Sequence, residues 1–500
     1  MNLRLTIPFL AALAAVVSCD KGLESDGPSG PAVSGQSFRA VTEVPVPAGS
    51  TKAFDPAVKA FRFEIGDEIA VSDGTVTSIF VATSLTDSDV SFTLKAGETA
   101  LADEDVTYKA YYPASIAPGL SGVAGQSGCY MMQQQVNSNG DIPDGKTVNY
   151  SESRYESNPM YAESSTKDLQ FKNLCALLCV TLAQPEGTDN AISQLIFQCP
   201  GTPMFGPFEE REGVMTISSS APDYGRIATK NTNAKYISAS NKYYIAIPQG
   251  TYSAAEFIVQ NNKRMKQHYF MKEGSSLTVE RNKIYNITLQ VDDLRYDLTD
   301  GDAILGISSL GTYSPSNCYL IHAISGGKYC FKATRGPVDE PLEGVASVEV
   351  LWRAQISKEM TAAQVVMDDG LEYRNGYVYF TTSNNQGNAL IGARDAEGKL
   401  LWSWHIWLLN SSDEPSVQTY PNGSVVLDRN VGAISSALSE GKSSANHNGL
   451  YYQYGRKEPF PTRTKNTTAV SPWSGKVSFE KTVVTEQVTI ERIFQVRIIC

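Results

Sequence analysis

The chain has 500 residues, with 42 Lys and Arg against 53 Asp and Glu, and a formal charge of −11. At roughly 150 residues per domain this length makes about three domains, and 42% hydrophobic with 19% charged residues is a globular composition, not a disordered one. An acidic chain without a Lys/Arg cluster lacks the footprint that phosphate contacts require, so no nucleic-acid partner is expected, and four His leave little for a metal site or a general base.

The N-terminus reads as a processing signal. After Met1–Arg4, Leu5–Val17 (LTIPFLAALAAVV) is apolar but shorter than the roughly 20 residues of a membrane span. It ends in Val16-Val17-Ser18-Cys19, which resembles a bacterial lipobox: cleavage before Cys19 and lipidation of its thiol. The plainer alternative is an ordinary secretory signal with a cysteine nearby. On the lipobox reading residues 1–18 are a signal peptide and Cys19 anchors the chain in place of a transmembrane helix. Residues 19–37 then form a tether; Gly, Ser and Pro dominate Asp20–Ser37, whose reach as a coil is roughly 20–25 Å.

Period-two patterns follow. Phe61–Ile65 and Ser91–Lys95 alternate strictly, and in Val106–Tyr112 the side chains of Val106, Tyr108, Ala110 and Tyr112 share one face. Ser72-Asp73-Gly74 and Lys95-Ala96-Gly97 read as turns. Gly140–Thr147 (GDIPDGKT) fits a phosphate-loop pattern, but no strand precedes it and no helix follows. Pro143 removes a donor, and Asp141 and Asp144 would repel phosphate. It is read as a chance match.

Phe171–Leu182 (FKNLCALLCVTL) is apolar at most positions, as in a strand buried on both faces or a core helix; its β-branched end, Val180-Thr181, and the stop at Gln184–Gly187 favour a strand that closes the first domain, 38–187. Lys242–Pro248, Ala255–Gln260 and Lys283–Val291 supply strands of a second domain, 188–295, and Asp292–Asp302 reads as a linker. The remaining block, 303–500, holds all five Trp. In Trp402–Trp407 (WSWHIW), alternation sets Trp402, Trp404 and Ile406 on one face, and Ser403, His405 and Trp407 on the other. Trp407 and His405 are the candidate ligand-binding residues, an exposed ring being suited to stack on a sugar; a packed sandwich core is the alternative. In Asp428-Arg429-Asn430 the arginine either binds a carboxylate or knits turns together. Val483–Cys500 could form a last hairpin or an altered terminus.

The seven cysteines after Cys19 are odd in number and match no zinc spacing. Cys175 and Cys179 on one strand face would stand about 13 Å apart, too far for a disulfide. A hairpin at Gly326-Gly327 would pair Cys330 with Ala323 and not with Cys318. Most are read as small buried hydrophobes. No metal site, cofactor or catalytic residue is expected, and the chain is read as a non-enzyme.

Gly66–Asp73 (GDEIAVSD), Val106–Pro113 (VTYKAYYP), Phe171–Leu182, Lys242–Gly250 (KYYIAIPQG) and Lys283–Val291 (KIYNITLQV), in that order after a lipobox, resemble the fimbrillin family of type V pilus lipoproteins. The resemblance covers roughly residues 38–295. It implies a mainly β chain with two tandem transthyretin-like β-sandwich domains, followed here by a Trp-rich β or α+β C-terminal domain. Gly387–Ala393, Leu401–Trp407, Leu427–Ala433 and Gly449–Pro461 are similar to the Fibrobacter major paralogous domain, which continues past its last motif with further core strands.

Fimbrillin assembly, as the resemblance implies, begins with a cut after an arginine near the first strand. The groove so opened accepts a strand of the next subunit. Arg39-Ala40 is the candidate cut; an ordinary exposed arginine is the alternative. The implied role is a tip or accessory subunit in cell adhesion at the fimbrium. Its implied partners are other fimbrial subunits, the outer membrane through lipid, and a host or bacterial surface glycan or protein. The alternative is a non-polymerising outer-membrane glycan-binding lipoprotein.

Overall fold

The structure, a computed structural model, describes residues 35–48, 63–86, 89–120, 122, 128–131, 159–185, 192–218, 226–230, 242–299, 317–322, 327–335, 340–355, 365–383, 386–410, 415–436, 447, 449–451 and 458–460. Cys19, the phosphate-loop look-alike 140–147 and the tail 483–500 lie outside them. The described residues are mainly β, and no helix among them is long and apolar enough to cross a membrane.

The first group of strands is β1 (Ser37–Thr42), β2 (Val46–Pro47), β3 (Glu68–Ser72), β4 (Thr77–Leu85), β5 (Val90–Leu94), β6 (Tyr108–Tyr112), β7 (Tyr130–Met131), β8 (Met160–Ser164) and β9 (Asp168–Asn173). Seven of them close in the order β1-β5-β4-β3-β6-β8-β9. The reading of the first domain as a two-sheet sandwich is thereby modified: β1 bonds to β5 antiparallel and to β9 parallel, which joins what would be two free edges. The face of β6 read from its periodicity is the core face, with Tyr108, Ala110 and Tyr112 buried and Val106 packed beside them. Phe63–Ile65, the described part of an expected strand, forms none. Gly66 turns the chain there at φ +92°, and the Asp67 carboxylate accepts from the Glu64 N–H at 2.7 Å.

The second group is β10 (Cys175–Ala183), β11 (Ile192–Gln198), β12 (Gly206–Arg211), β13 (Val214–Ile217), β14 (Arg226–Lys230), β15 (Lys242–Pro248), β16 (Gly250–Ser253), β17 (Glu256–Asn261), β18 (Lys266–Phe270), β19 (Ser276–Val279), β20 (Lys283–Gln290) and β21 (Tyr296–Asp297). Sheets β15-β10-β20-β2 and β14-β11-β17-β18 enclose one core, into which Ala176, Leu178, Val180 and Leu182 point. The opposite face of β10, with Cys175, Leu177 and Cys179, packs in a second core with Ala70, Tyr111 and Phe208. Both-sided burial explains the near-continuous apolar run. It also corrects the assignment of this strand: β10 does not close the first group but is central in the next sheet, because only there do partners flank it on both sides.

The third group is β22 (Cys318–His322), β23 (Lys328–Lys332), β24 (Thr334–Arg335), β25 (Glu340–Pro341), β26 (Ser347–Gln355), β27 (Glu372–Arg374), β28 (Tyr377–Thr381), β29 (Gly387–Arg394), β30 (Leu400–Leu409), β31 (Val417–Thr419) and β32 (Val425–Leu427). Sheets β21-β23-β28-β27 and β22-β30-β29-β26 enclose Tyr329, Phe331, Phe380, Ile391, Trp404 and Ile406. The expected hairpin around Gly326-Gly327 does not form. β22 runs parallel to β30 and β23 pairs with β28, so Cys318 and Cys330 lie in different sheets.

Asp292–Asp302, expected as a linker, is in its described part a structured junction. β21 pairs with β23, placing Asp297 opposite Cys330, and Arg295 and Asp297 are buried. Arg295 donates to Asp293 at 2.9 Å and to the Phe380 carbonyl at 3.3 Å. Polar composition suggested a loop; here the charges are inward and paired, which burial requires.

Candidate functional site

β1 carries the two residues of the candidate cut. Alternation sends Phe38 and Ala40 inward and Arg39 outward. Phe38 meets Phe80 and Tyr108 edge-on, each with ring centroids 4.9 Å away. Arg39 is 60% exposed and its guanidinium donates to Asp89 at 2.6 Å; that hydrogen bond and the Asp89 charge push its pKa up. The Arg39 backbone N–H donates to the Lys167 carbonyl at 2.9 Å. The bond between Arg39 and Ala40 therefore lies inside a strand paired on both edges, not ahead of it.

Upstream of that bond, Gln36 accepts from the Leu101 N–H at 2.8 Å and donates to the Leu101 carbonyl at 3.0 Å. Downstream, the chain is held by the second group: Val46 donates to the Asn282 carbonyl at 3.0 Å and Ala48 to the Ile284 carbonyl at 2.7 Å. Cutting between the two would leave Ala40–Ala48 moored and remove Phe38 from the barrel core. It would also leave Ser91–Thr93 of β5 without their β1 partners and empty the place of Phe38 beside Phe80 and Tyr108.

The tryptophan strand is different. Trp402, Trp404 and Ile406 fill the inter-sheet core as alternation indicates. Trp407, proposed as an exposed sugar-stacking ring, is fully buried against Cys318, Leu320, Leu409 and Ile434, so its face is not available to a ligand. Loops cover that side of the sheet, which periodicity along one strand cannot reveal.

His405, also a binding candidate, is buried at the centre of a relay that brings together three strands. The Asn388 amide donates to the Gly432 carbonyl at 2.9 Å, which fixes its orientation and presents its oxygen to His405 Nε2 at 2.9 Å. Nε2 therefore carries the proton, and Nδ1 accepts from the Cys318 thiol at 3.0 Å. Cys, His and Asn in this order are the set that activates a thiol nucleophile, and no spacing along the chain signals it, since the three residues come from β22, β29 and β30. Burial, however, pushes the Cys318 thiol up and the imidazole down to about 3, so both stay neutral and sealed from substrate. The relay is structural.

Asp428 and Arg429 form a turn clasp. Arg429 donates to both Asp428 oxygens, at 2.8 and 3.0 Å, and to the Ile434 carbonyl. The knitting alternative is the one that fits. The described cysteines, 129, 175, 179, 199, 318 and 330, are thiols, all buried but the half-buried Cys129.

No protein-family model matches the chain, and no curated protein matches it. Among solved structures it is similar to a candidate cell adhesion protein from Bacteroides ovatus, at 13% identity over 52% of this chain and 94% of that one, with a TM-score of 0.33. A fimbrial protein from the same species is 13% identical over 56% of this chain and 55% of that one, with a TM-score of 0.24. The tip fimbrial protein Mfa3 from Porphyromonas gingivalis, with a C-terminal truncation, is 14% identical over 52% of this chain and 97% of that one, with a TM-score of 0.24.

Proposed function

We propose that this protein is a surface-exposed lipoprotein acting as a fimbrial tip or accessory subunit in cell adhesion. Cys19 carries the lipid, the outer membrane holds the precursor, and cleavage between Arg39 and Ala40 opens it for strand exchange with other fimbrial subunits. The reading rests on the ordered resemblance of residues 38–295 to fimbrillins, with their transthyretin-like sandwiches. One observation carries the exchange step: β1 seals the barrel between β5 and β9, has Phe38 as its core peg, and turns Arg39 outward at the point where the cut would fall. Main-chain bonds to β5 would supply affinity, and the Phe38 pocket would set the register of the incoming strand. The block 303–500 is the candidate adhesive region.

The test is the mature N-terminus, measured by mass spectrometry on protein from whole membranes and from sheared surface material. Acylated Cys19 in membranes with Ala40 as the first residue in the sheared fraction is the expected pair. Acylated Cys19 in both fractions would favour a non-polymerising surface receptor, and neither terminus would overturn the lipoprotein and fimbrial readings together.

A further inference from the structure

A buried polar node joins the second and third groups of strands. His268 on β18 has a side chain only 2% exposed. Its Nδ1 lies 2.5 Å from Glu256 Oε1, whose other oxygen accepts from Gln198 at 2.5 Å. Its Nε2 points away from Glu256, sits 3.5 Å from Asp297 Oδ2, and makes no hydrogen bond among the described residues. Cys330 is the register partner of Asp297 on the adjacent strand, and both are buried. Ligand atoms of His268, Asp297 and Cys330 all lie within 4.8 Å of one another.

We propose that His268 Nε2, an Asp297 carboxylate oxygen and the Cys330 sulfur form a site for a divalent transition-metal ion of the zinc class. A mixed nitrogen, oxygen and sulfur set suits a borderline-soft ion, and three protein ligands leave a fourth position for water. Metal–ligand bonds of roughly 2.0–2.3 Å hold tetrahedral ligands about 3.3–3.8 Å apart, so the three atoms, within 4.8 Å of one another, close in by about 1.5 Å at most. Glu256 plays the part of the outer carboxylate that fixes a ligating imidazole: it holds Nδ1 and aims Nε2 at the gap.

Charge supports the assignment. Glu256, Asp297 and a Cys330 thiolate are offset by Lys266, buried on the same strand as His268, and by the divalent ion. Arg295 is already engaged by Asp293 at 2.9 Å. Without the ion, burial pushes the imidazole down, but the hydrogen bond from Nδ1 to Glu256 and the charges of Asp297 and Glu256 outweigh it and raise it to about 9. Burial likewise keeps Cys330 protonated. Binding must therefore displace the Cys330 proton and the proton on Nε2, both released to solvent as the metal–sulfur and metal–nitrogen bonds form. The competing arrangement is an imidazolium bridging two carboxylates, with no metal.

Titration of the chelator-treated full chain with Co²⁺ separates the two. The expected result is one Co²⁺ per chain with a thiolate-to-cobalt charge-transfer band, displaced by Zn²⁺. Cys330→Ser is expected to abolish the band, and Glu256→Gln to weaken binding about 10- to 100-fold while keeping it. His268→Gln is the second variant should Cys330→Ser fail to fold, as judged by circular dichroism. A folded wild type that takes up no Co²⁺, or one that binds it without the thiolate band, overturns the proposal. So does binding unchanged in a folded Cys330→Ser or His268→Gln variant.

Discussion

Arg281 holds Glu43 by two parallel hydrogen bonds, Nη1 to Oε2 at 2.7 Å and Nη2 to Oε1 at 3.0 Å, and also donates to the Asn173 carbonyl at 3.0 Å. Glu43 follows β1, Asn173 ends β9, and Arg281 precedes β20, so one guanidinium fastens the barrel to the second group of strands. Forked pairing of this kind is stronger than a single contact between exposed side chains. Arg281→Ala is expected to destabilise the protein by roughly 1–2 kcal/mol. Arg281→Lys, lacking the fork, should recover only part of that loss. Urea unfolding of both variants, read at the midpoint, checks the order.

Phe38 is the peg of Ser37–Arg39, the half of β1 that the proposed cut would release. Phe38→Ala deletes a ring buried against Phe80 and Tyr108 and is expected to cost about 3–5 kcal/mol. Trypsin should then cut after Arg39 faster than in the wild type, because β1 leaves its two partners more often. A digestion time course with N-terminal identification reads this directly; an unchanged rate at Arg39 would mean that β1 is not held by this side chain.

His405 makes the third group sensitive to acid. Burial holds its imidazole at about 3, below the ordinary 6.5, so between those values the unfolded chain binds the proton and the folded chain does not. The sign follows: stability is full above about 6.5 and falls as the pH drops toward 3. The loss is on the order of a few kcal/mol across that window. His405→Gln should flatten this part of the pH dependence of Tm while lowering Tm at neutral pH.

The described cysteines should differ in reactivity. Cys175, Cys179, Cys199, Cys318 and Cys330 are buried, and burial pushes the thiols of Cys175, Cys318 and Cys330 up. Cys129 is half-buried, and burial raises it as well. In a Cys19→Ser, Cys500→Ser variant of the chain, a polar thiol reagent should modify Cys129 slowly and the other five only after denaturation. Peptide mapping of the labelled native protein checks the site.

Local signals were legible where one strand decides its own environment. Tyr108, Ala110 and Tyr112 were readable as a core face because period two is set by the strand itself. The apolar run of β10 was readable as burial on both faces, though not as membership of the second sheet, since partners 242–248 and 283–290 are chosen by the whole fold. The glycines before β23 suggested a turn between neighbours, yet β22 found its partner in β30, far along the chain. Trp407 is buried by loops that its own alternation cannot report. Cys318, His405 and Asn388 meet only across strands, as do His268, Asp297 and Cys330, so neither constellation has a sequence spacing to betray it.

Direction also matters in the middle sheet. β10 is reached from the barrel at its N-terminal end, and β20 departs from its C-terminal end toward β21 and the tryptophan-bearing sheets. The two run parallel, in register from Leu177 opposite Ile284 to Ala183 opposite Gln290. Tension that enters through the barrel and leaves through β21 therefore pulls these strands past each other lengthwise. The ladder between them is stressed in shear, all its rungs at once, and cannot open one rung at a time like a zip.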